Sequence, residues 1–222
     1  MWGIITGLPE EADAFAPDLG KRSQHGTIAL RQLEWRGLSV TLACGGIGKV
    51  AAATAATLLA SHVGATRLMV IGTAGALLAT DGAPLWLRGA IQHDYGAARP
   101  DRFAHYEAGE WPLGPDGASG LIAMPQPAGL GLGEAVIASG DCFVECGTRA
   151  GLIRDALGAT LVDMETAAVA QVADILGLPW CAIKAATDEA NAASAGDFHA
   201  NLAVAARRAA EAAERAVRLM AG

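Results

Sequence analysis

The 222-residue sequence predicts a single α/β domain, residues 1–222, with a central, mostly parallel mixed sheet flanked by helices. Three observations predict it. The length suits one α/β domain better than two. A 52% hydrophobic composition with 28 glycines and only 5% aromatic residues suits a core of Ala, Val, Leu and Ile broken by many tight turns. Short apolar runs also alternate with stretches of helical period, the pattern of a largely parallel sheet covered on both faces.

Trp2 to Thr6 and Leu38 to Ala43 are apolar runs that read as strands, the second leading into Cys44-Gly45-Gly46-Ile47-Gly48. From Lys49 to Ser61, Ala51, Ala55, Leu58 and Leu59 recur at helical spacing, and Leu68 to Ile71 is the next strand. Further short strands are expected at Ala90 to Gln92, Ala135 to Ala138, Thr160 to Val162 and Cys181 to Ala186. Helices are expected at Ala150 to Leu157 and Met164 to Leu176, and a half-exposed helix from Phe198 to Leu219 closes the chain. Between Arg99 and Gly133 the periodicity gives way to proline, glycine and short polar stretches. This reads as a long excursion from the sheet, and such loops tend to carry function.

The formal net charge of -7 leaves no basic surface to neutralise a phosphate backbone or to hold an anionic membrane. Met1 to Gly7 is apolar but lacks a basic flank and meets Pro9-Glu10-Glu11 too soon for a signal peptide. The expected compartment is therefore the cytoplasm. Cys44, Cys142, Cys146 and Cys181 read as free thiols, because a chain of this size needs no disulfide staples. The C-x3-C spacing of Cys142 and Cys146 has no second Cys/His pair to complete a zinc site, so no metal is expected. Gly45 to Gly48 lacks the full G-x-G-x-x-G pattern and its acidic ribose partner, so no dinucleotide cofactor is expected either.

Ligands of open parallel sheets bind beyond the carboxyl ends of the strands, which singles out the residues following each apolar run. These are Gly7-Leu8-Pro9-Glu10-Glu11, Gly72-Thr73-Ala74-Gly75, Ser139-Gly140-Asp141-Cys142-Phe143-Val144, Asp163-Met164-Glu165 and Thr187-Asp188. Several carboxylates are thereby directed to one rim. His93-Asp94 also follows a strand, where a structural hydrogen bond is the expected role.

In this order, and with Gly46-Ile47-Gly48-Lys49-Val50-Ala51-Ala52-Ala53 and Met164-Glu165-Thr166-Ala167-Ala168, the stretches resemble the nucleoside phosphorylase and nucleosidase superfamily. The resemblance is strongest to the 5′-methylthioadenosine/S-adenosylhomocysteine nucleosidases and runs from Gly3 to about Leu202. It implies a three-layer sandwich, a purine nucleoside as small-molecule partner, no cofactor, and a homo-oligomer, commonly a dimer, in which a neighbouring subunit completes the pocket. Asp188 matches the general acid that protonates the purine N7, a task that requires burial or a nearby negative charge to keep the proton on near neutrality. Glu165 matches the carboxylate that binds the ribose 2′ and 3′ hydroxyls, and Met164 the methionine against the sugar. If Asp163 caps the following helix, Glu165 lies in its first turn, where the helix dipole favours an anion. Glu11 matches the base that deprotonates the attacking water; a one-residue slip would put Glu10 there instead. Phe143 matches the aromatic that stacks on adenine, Val144 a residue whose backbone reads the base edge, and Phe198 a wall of the 5′-substituent pocket. Thr73 stands where serine is common, near sugar and water, and Thr187 joins the substrate-binding set.

The resemblance leaves two nucleophiles to separate. Phosphorylases of the superfamily hold phosphate with arginines, one of them just before the glycine turn after the third strand, where this chain has Met69-Val70-Ile71-Gly72. Glu10 and Glu11 would repel a phosphate dianion. Water is therefore expected. Lys184 replaces an arginine of the best-known nucleosidases, and Gln92 to Pro115 does not match their 5′-group loop, so other 5′-substituted adenosines such as aminodeoxyfutalosine or an adenosylated hopanoid lipid stay open as substrates. A non-catalytic nucleoside-binding protein on the same fold is the competing reading, and it would have no use for a water-activating Glu11.

Overall fold

The computed structural model describes residues 1–17 and 19–220; positions 18, 221 and 222 of the expected 1–222 domain lie outside it. β1 (Trp2–Thr6) is buried along its whole length and pairs in parallel with β4 (Leu38–Cys44) on one side and β5 (Arg67–Ala76) on the other. A strand covered on both faces must be apolar throughout, which is why it reads as a run and not as an alternation.

β12 (Trp180–Asp188) lies parallel to β5, followed by β6 (Leu85–Gln92) antiparallel to β12 and β10 (Gly133–Ser139) parallel to β6. β11 (Leu161–Asp163) pairs in parallel with β10 and also antiparallel with the end of β5, so five strands close on themselves. The sheet is mixed, as expected, but this half is curled into a ring.

Two features of the sheet depart from the sequence expectation. β5 does not stop at Ile71; it runs on through Gly72-Thr73-Ala74-Gly75, because β12 pairs with it along one edge and β11 along the other. The outer hairpin of β2 (Lys21–His25) and β3 (Ile28–Trp35) was not anticipated. Its alternation is broken at Arg31, which is buried because its guanidinium donates to the carbonyls of Ala12, Phe15 and Ala16. The excursion after β6 holds a small hairpin of β7 (Gly96–Ala98) and β8 (Phe103–His105), then β9 (Leu121–Ile122) on the edge of β6.

α1 (Pro9–Ala14) and the long α5 (Ser194–Leu219) cover one face of the sheet. α5 buries Ala205, Ala206, Ala209, Ala210, Ala213, Ala216 and Val217, and these small side chains let it lie close against the strands. α2 (Lys49–Leu58), which continues into a π-helical turn at Leu59–Val63, and α4 (Thr166–Ile175) cover the other face. α3 (Gly147–Leu157) packs at the far end with Leu77, Ala138 and Val162. Among the described residues no helix is long and apolar enough to cross a membrane.

Candidate active site

At the carboxyl ends of β1, β11 and β12 lies a cavity of about 480 Å³. Glu11, Thr73, Phe143, Met164, Glu165, Thr187, Asp188 and Phe198 all line it, so positions up to 187 residues apart converge as the sequence suggested. Val144 does not line it: its side chain is buried in the core with Leu77 and Ala150.

Glu11 is buried and lines the cavity, while Glu10 is exposed and does not line it. The Glu11 carboxylate accepts four hydrogen bonds: Oε2 from the amides of Gly7 and Leu8 at 3.0 and 3.1 Å, and Oε1 from the amide and hydroxyl of Thr73 at 2.8 and 2.9 Å. Gly72 makes this approach possible. A Cβ at that position would lie 2.4 Å from Oε1, and its φ of +148° disfavours any side chain. The glycine that resembles a turn signal in the sequence is therefore a strand residue kept bare for a carboxylate.

Glu165 lies on the other side of Gly7, whose missing Cβ would sit 3.5 Å from the Glu165 carboxyl carbon and 3.7 Å from Glu11 Oε2. Its Oε1 accepts the Gly48 amide at 3.0 Å. Glu165 is not in the first turn of α4 as expected: it is the cap residue itself, with φ -131° and ψ -44°. The reason is Asp163, which does serve the helix start but from two residues earlier, accepting the amide and hydroxyl of Thr166. Burial and the neighbouring Asp163 carboxylate push Glu165 up to about 7, against the pull of Lys184 and the Gly48 amide.

Beneath this carboxylate Lys184 Nζ meets Asp163 Oδ2 at 3.0 Å, both side chains almost fully enclosed. Ser139 Oγ donates to Asp163 and accepts the Ala167 amide, tying β10, β11 and α4 together. Burial alone would raise the Asp163 pKa; the Lys184 ammonium and the Ser139 and Thr166 hydroxyls reverse this and hold it below the usual carboxylate value. Lys184 does not line the cavity.

Asp188 ends β12 and is 7% exposed. Its Oδ1 accepts the amide of Ala190 at 3.0 Å and its Oδ2 lies 2.8 Å from the Thr187 hydroxyl. Asn201 of α5 donates to the Thr187 carbonyl and fixes the strand end. Gly75 faces it, since a Cβ there would come within 3.2 Å of Oδ1. Opposite stand Phe143 and Phe198, edge to face with ring centroids 5.9 Å apart.

Leu8, within the stretch singled out after the first strand, also lines the cavity, as do Ile47, Glu145 and His199, which sequence reasoning missed together with the Gly48 amide. No sequence signal marks Glu145 or His199; Ile47 and Gly48 sit in the glycine stretch that carries part of the family resemblance, where neither was given a role in the site. His93 and Asp94 do not line it. Asp94 instead pairs with Lys49 at 2.7 Å and accepts the Asp141 amide, bracing the loops around the cavity. The cavity lining contains neither arginine nor lysine, and among the described residues no cluster of three or more His, Cys, Asp or Glu is arranged to hold a metal ion.

Residues 2–218 match the sequence pattern of the Phosphorylase superfamily, and the chain belongs to that superfamily. Within it, the chain is 31% identical to the 5′-methylthioadenosine/S-adenosylhomocysteine nucleosidase of Treponema pallidum (strain Nichols), over 86% of this chain and 81% of that one. It is 29% identical to the nucleosidase of the same name from Mycobacterium tuberculosis (strain CDC 1551 / Oshkosh), over 89% of each chain. Among solved structures, the nucleosidase from S. pneumoniae bound to the transition-state inhibitor MT-ImmA superposes with a TM-score of 0.86 at 25% identity, covering 99% of each chain. The fold is shared equally with futalosine hydrolase of Helicobacter pylori strain 26695, with a TM-score of 0.83 at 23% identity over 98% of this chain and 97% of that one.

Proposed function

We propose that this protein hydrolyses the N-glycosidic bond of a 5′-substituted adenosine, of the 5′-methylthioadenosine or S-adenosylhomocysteine type, and releases adenine. The observation that carries the proposal is the convergence of Glu11, Glu165 and Asp188 on one cavity with an aromatic wall and no lining cation. Cleavage passes through an oxocarbenium-like sugar, which calls for a proton donor to the leaving base, an anion at the sugar and an activated nucleophile on the opposite face. Asp188 gives its proton to the purine N7, with Thr187 holding it. Glu165, once ionised, accepts the two ribose hydroxyls, and Met164 packs against the sugar. Phe143 stacks on the base, the Val144 backbone reads its edge, and Phe198 bounds the 5′ group.

Glu11 takes the proton from water. Three of its four hydrogen-bond donors are backbone amides that cannot turn away; the Thr73 hydroxyl can rotate and is the one that yields its place to the water. A bound phosphate would find five lining carboxylates, Glu11, Glu145, Asp163, Glu165 and Asp188, and no arginine, which supports water as nucleophile.

The proposal takes residues 1–222 as one catalytic unit acting in the cytoplasm, a setting that suits the exposed free thiols Cys142 and Cys146. It includes a homodimer, in which the exposed apolar side chains of Trp111 and Leu113 are candidate contacts. A second substrate, an aminodeoxyfutalosine-type nucleoside, is favoured by the likeness to futalosine hydrolase. The test is a panel of 5′-methylthioadenosine, S-adenosylhomocysteine, aminodeoxyfutalosine, adenosine and inosine, followed by release of free base. The proposal expects adenine from one or more 5′-substituted adenosines faster than from adenosine; no base from any of them would sink it.

A further inference from the structure

Lys184 and Asp163 stand apart from the other ion pairs among the described residues, since their side chains are only 2% and 3% exposed while the rest are a fifth exposed or more. Well-packed apolar side chains would stabilise the same space as well or better, so stability alone does not account for the pair. Its place does. Asp163 is the last residue of β11, two before Glu165, and Lys184 lies on β12 four residues before Asp188.

We propose that Lys184 and Asp163 are a positioning pair that sets the charge on Glu165, and so the readiness of that carboxylate to receive ribose hydroxyls; this rests on the reading of Glu165 given above. Around Glu165 stand Asp163, two residues before it at the end of β11, Lys184 of β12 at 3.0 Å from Asp163, Glu11 of α1 against the same Gly7, and the Gly48 amide at the start of α2, with Asp188, Glu145 and His199 around the same cavity. Three carboxylates crowd this corner and Lys184 is the cation buried with them. The two partners act on Glu165 with opposite sign: the ammonium favours its ionised form and the Asp163 carboxylate its protonated form.

The sign difference makes the role testable against a purely structural one. In Lys184→Met the attraction is lost and Glu165 should titrate higher; in Asp163→Asn the repulsion is lost and it should titrate lower, each by about one pH unit or more. The direct reading is a carbon-13 NMR titration of glutamate-labelled, ligand-free protein, with the Glu165 signal assigned by its loss in Glu165→Gln. The acid limb of turnover against pH should move in the same two directions, and Lys184→Arg should restore it. If Lys184→Met does not fold, Asp163→Asn compared with Asp163→Asn/Lys184→Met isolates the same charge, and Glu165 should titrate lower in the single variant. Shifts in one common direction, or no shift in either, would overturn the pair's role. Opposed NMR shifts in a protein that cleaves no nucleoside would uphold the pair and refute the hydrolase reading separately.

Discussion

On the carboxylate side of the cavity, Glu11, Thr73 and Glu165 are each at most 9% exposed, and Glu11 is held mainly by backbone amides. On the aromatic side, Phe143 is 44% exposed and its contact with Phe198 is a single edge-to-face pair. The first side is rigid because peptide groups cannot reorient without moving strands; on the second, Phe198 is carried by α5 but the half-exposed Phe143 is held beside Val144, which plugs into the core. Changes on the carboxylate side should therefore act on turnover, and changes on the aromatic side on binding.

The largest effect expected is that of Asp188→Asn, which keeps the shape and removes the acid: kcat should fall by roughly 10²–10⁴ with KM changed only a few-fold. Glu11→Gln should lose a comparable or somewhat smaller factor in kcat, measured by the same adenine-release assay. Gly72→Ala should follow, because the added methyl meets Glu11 Oε1 at 2.4 Å and displaces it; kcat should drop and thermal unfolding should reveal a loss of about 1–3 kcal/mol. An intermediate effect is set by pH. With Glu165 near 7 and active as the anion, kcat/KM should rise with pH through about 7 and fall as Glu165 is protonated below it. That limb should vanish in Glu165→Gln. Phe143→Ala should do least, raising KM by roughly 3–10-fold with kcat nearly intact, since an aromatic contact contributes about 0.5–1.5 kcal/mol beyond its area. A kcat loss in Phe143→Ala as large as that in Glu11→Gln would erase the distinction between the two sides.

The three carboxylates were legible because strand ends are: Glu11, Glu165 and Asp188 each follow a short apolar run within a few residues. What was not legible depends on partners distant in sequence. Gly72 reads as a turn until β12 is seen to pair alongside it, with Lys184 opposite, and the Gly48 amide reaches Glu165 across 117 positions. Arg31 hid β3, because a buried guanidinium among alternating apolar residues destroys the period that marks a strand. The helix start at Thr166 was misplaced because Asp163 caps through a side chain reaching past Glu165, a geometry that spacing alone does not reveal.

Water, activated by Glu11, is the proposed nucleophile. Phosphorus-31 NMR of the reaction with 5′-methylthioadenosine, run across a series from no phosphate to excess phosphate, tests it most directly. With water as nucleophile, adenine is released at one rate throughout and no new phosphate ester signal appears. Adenine appearing only with phosphate, together with a sugar 1-phosphate resonance, would contradict it.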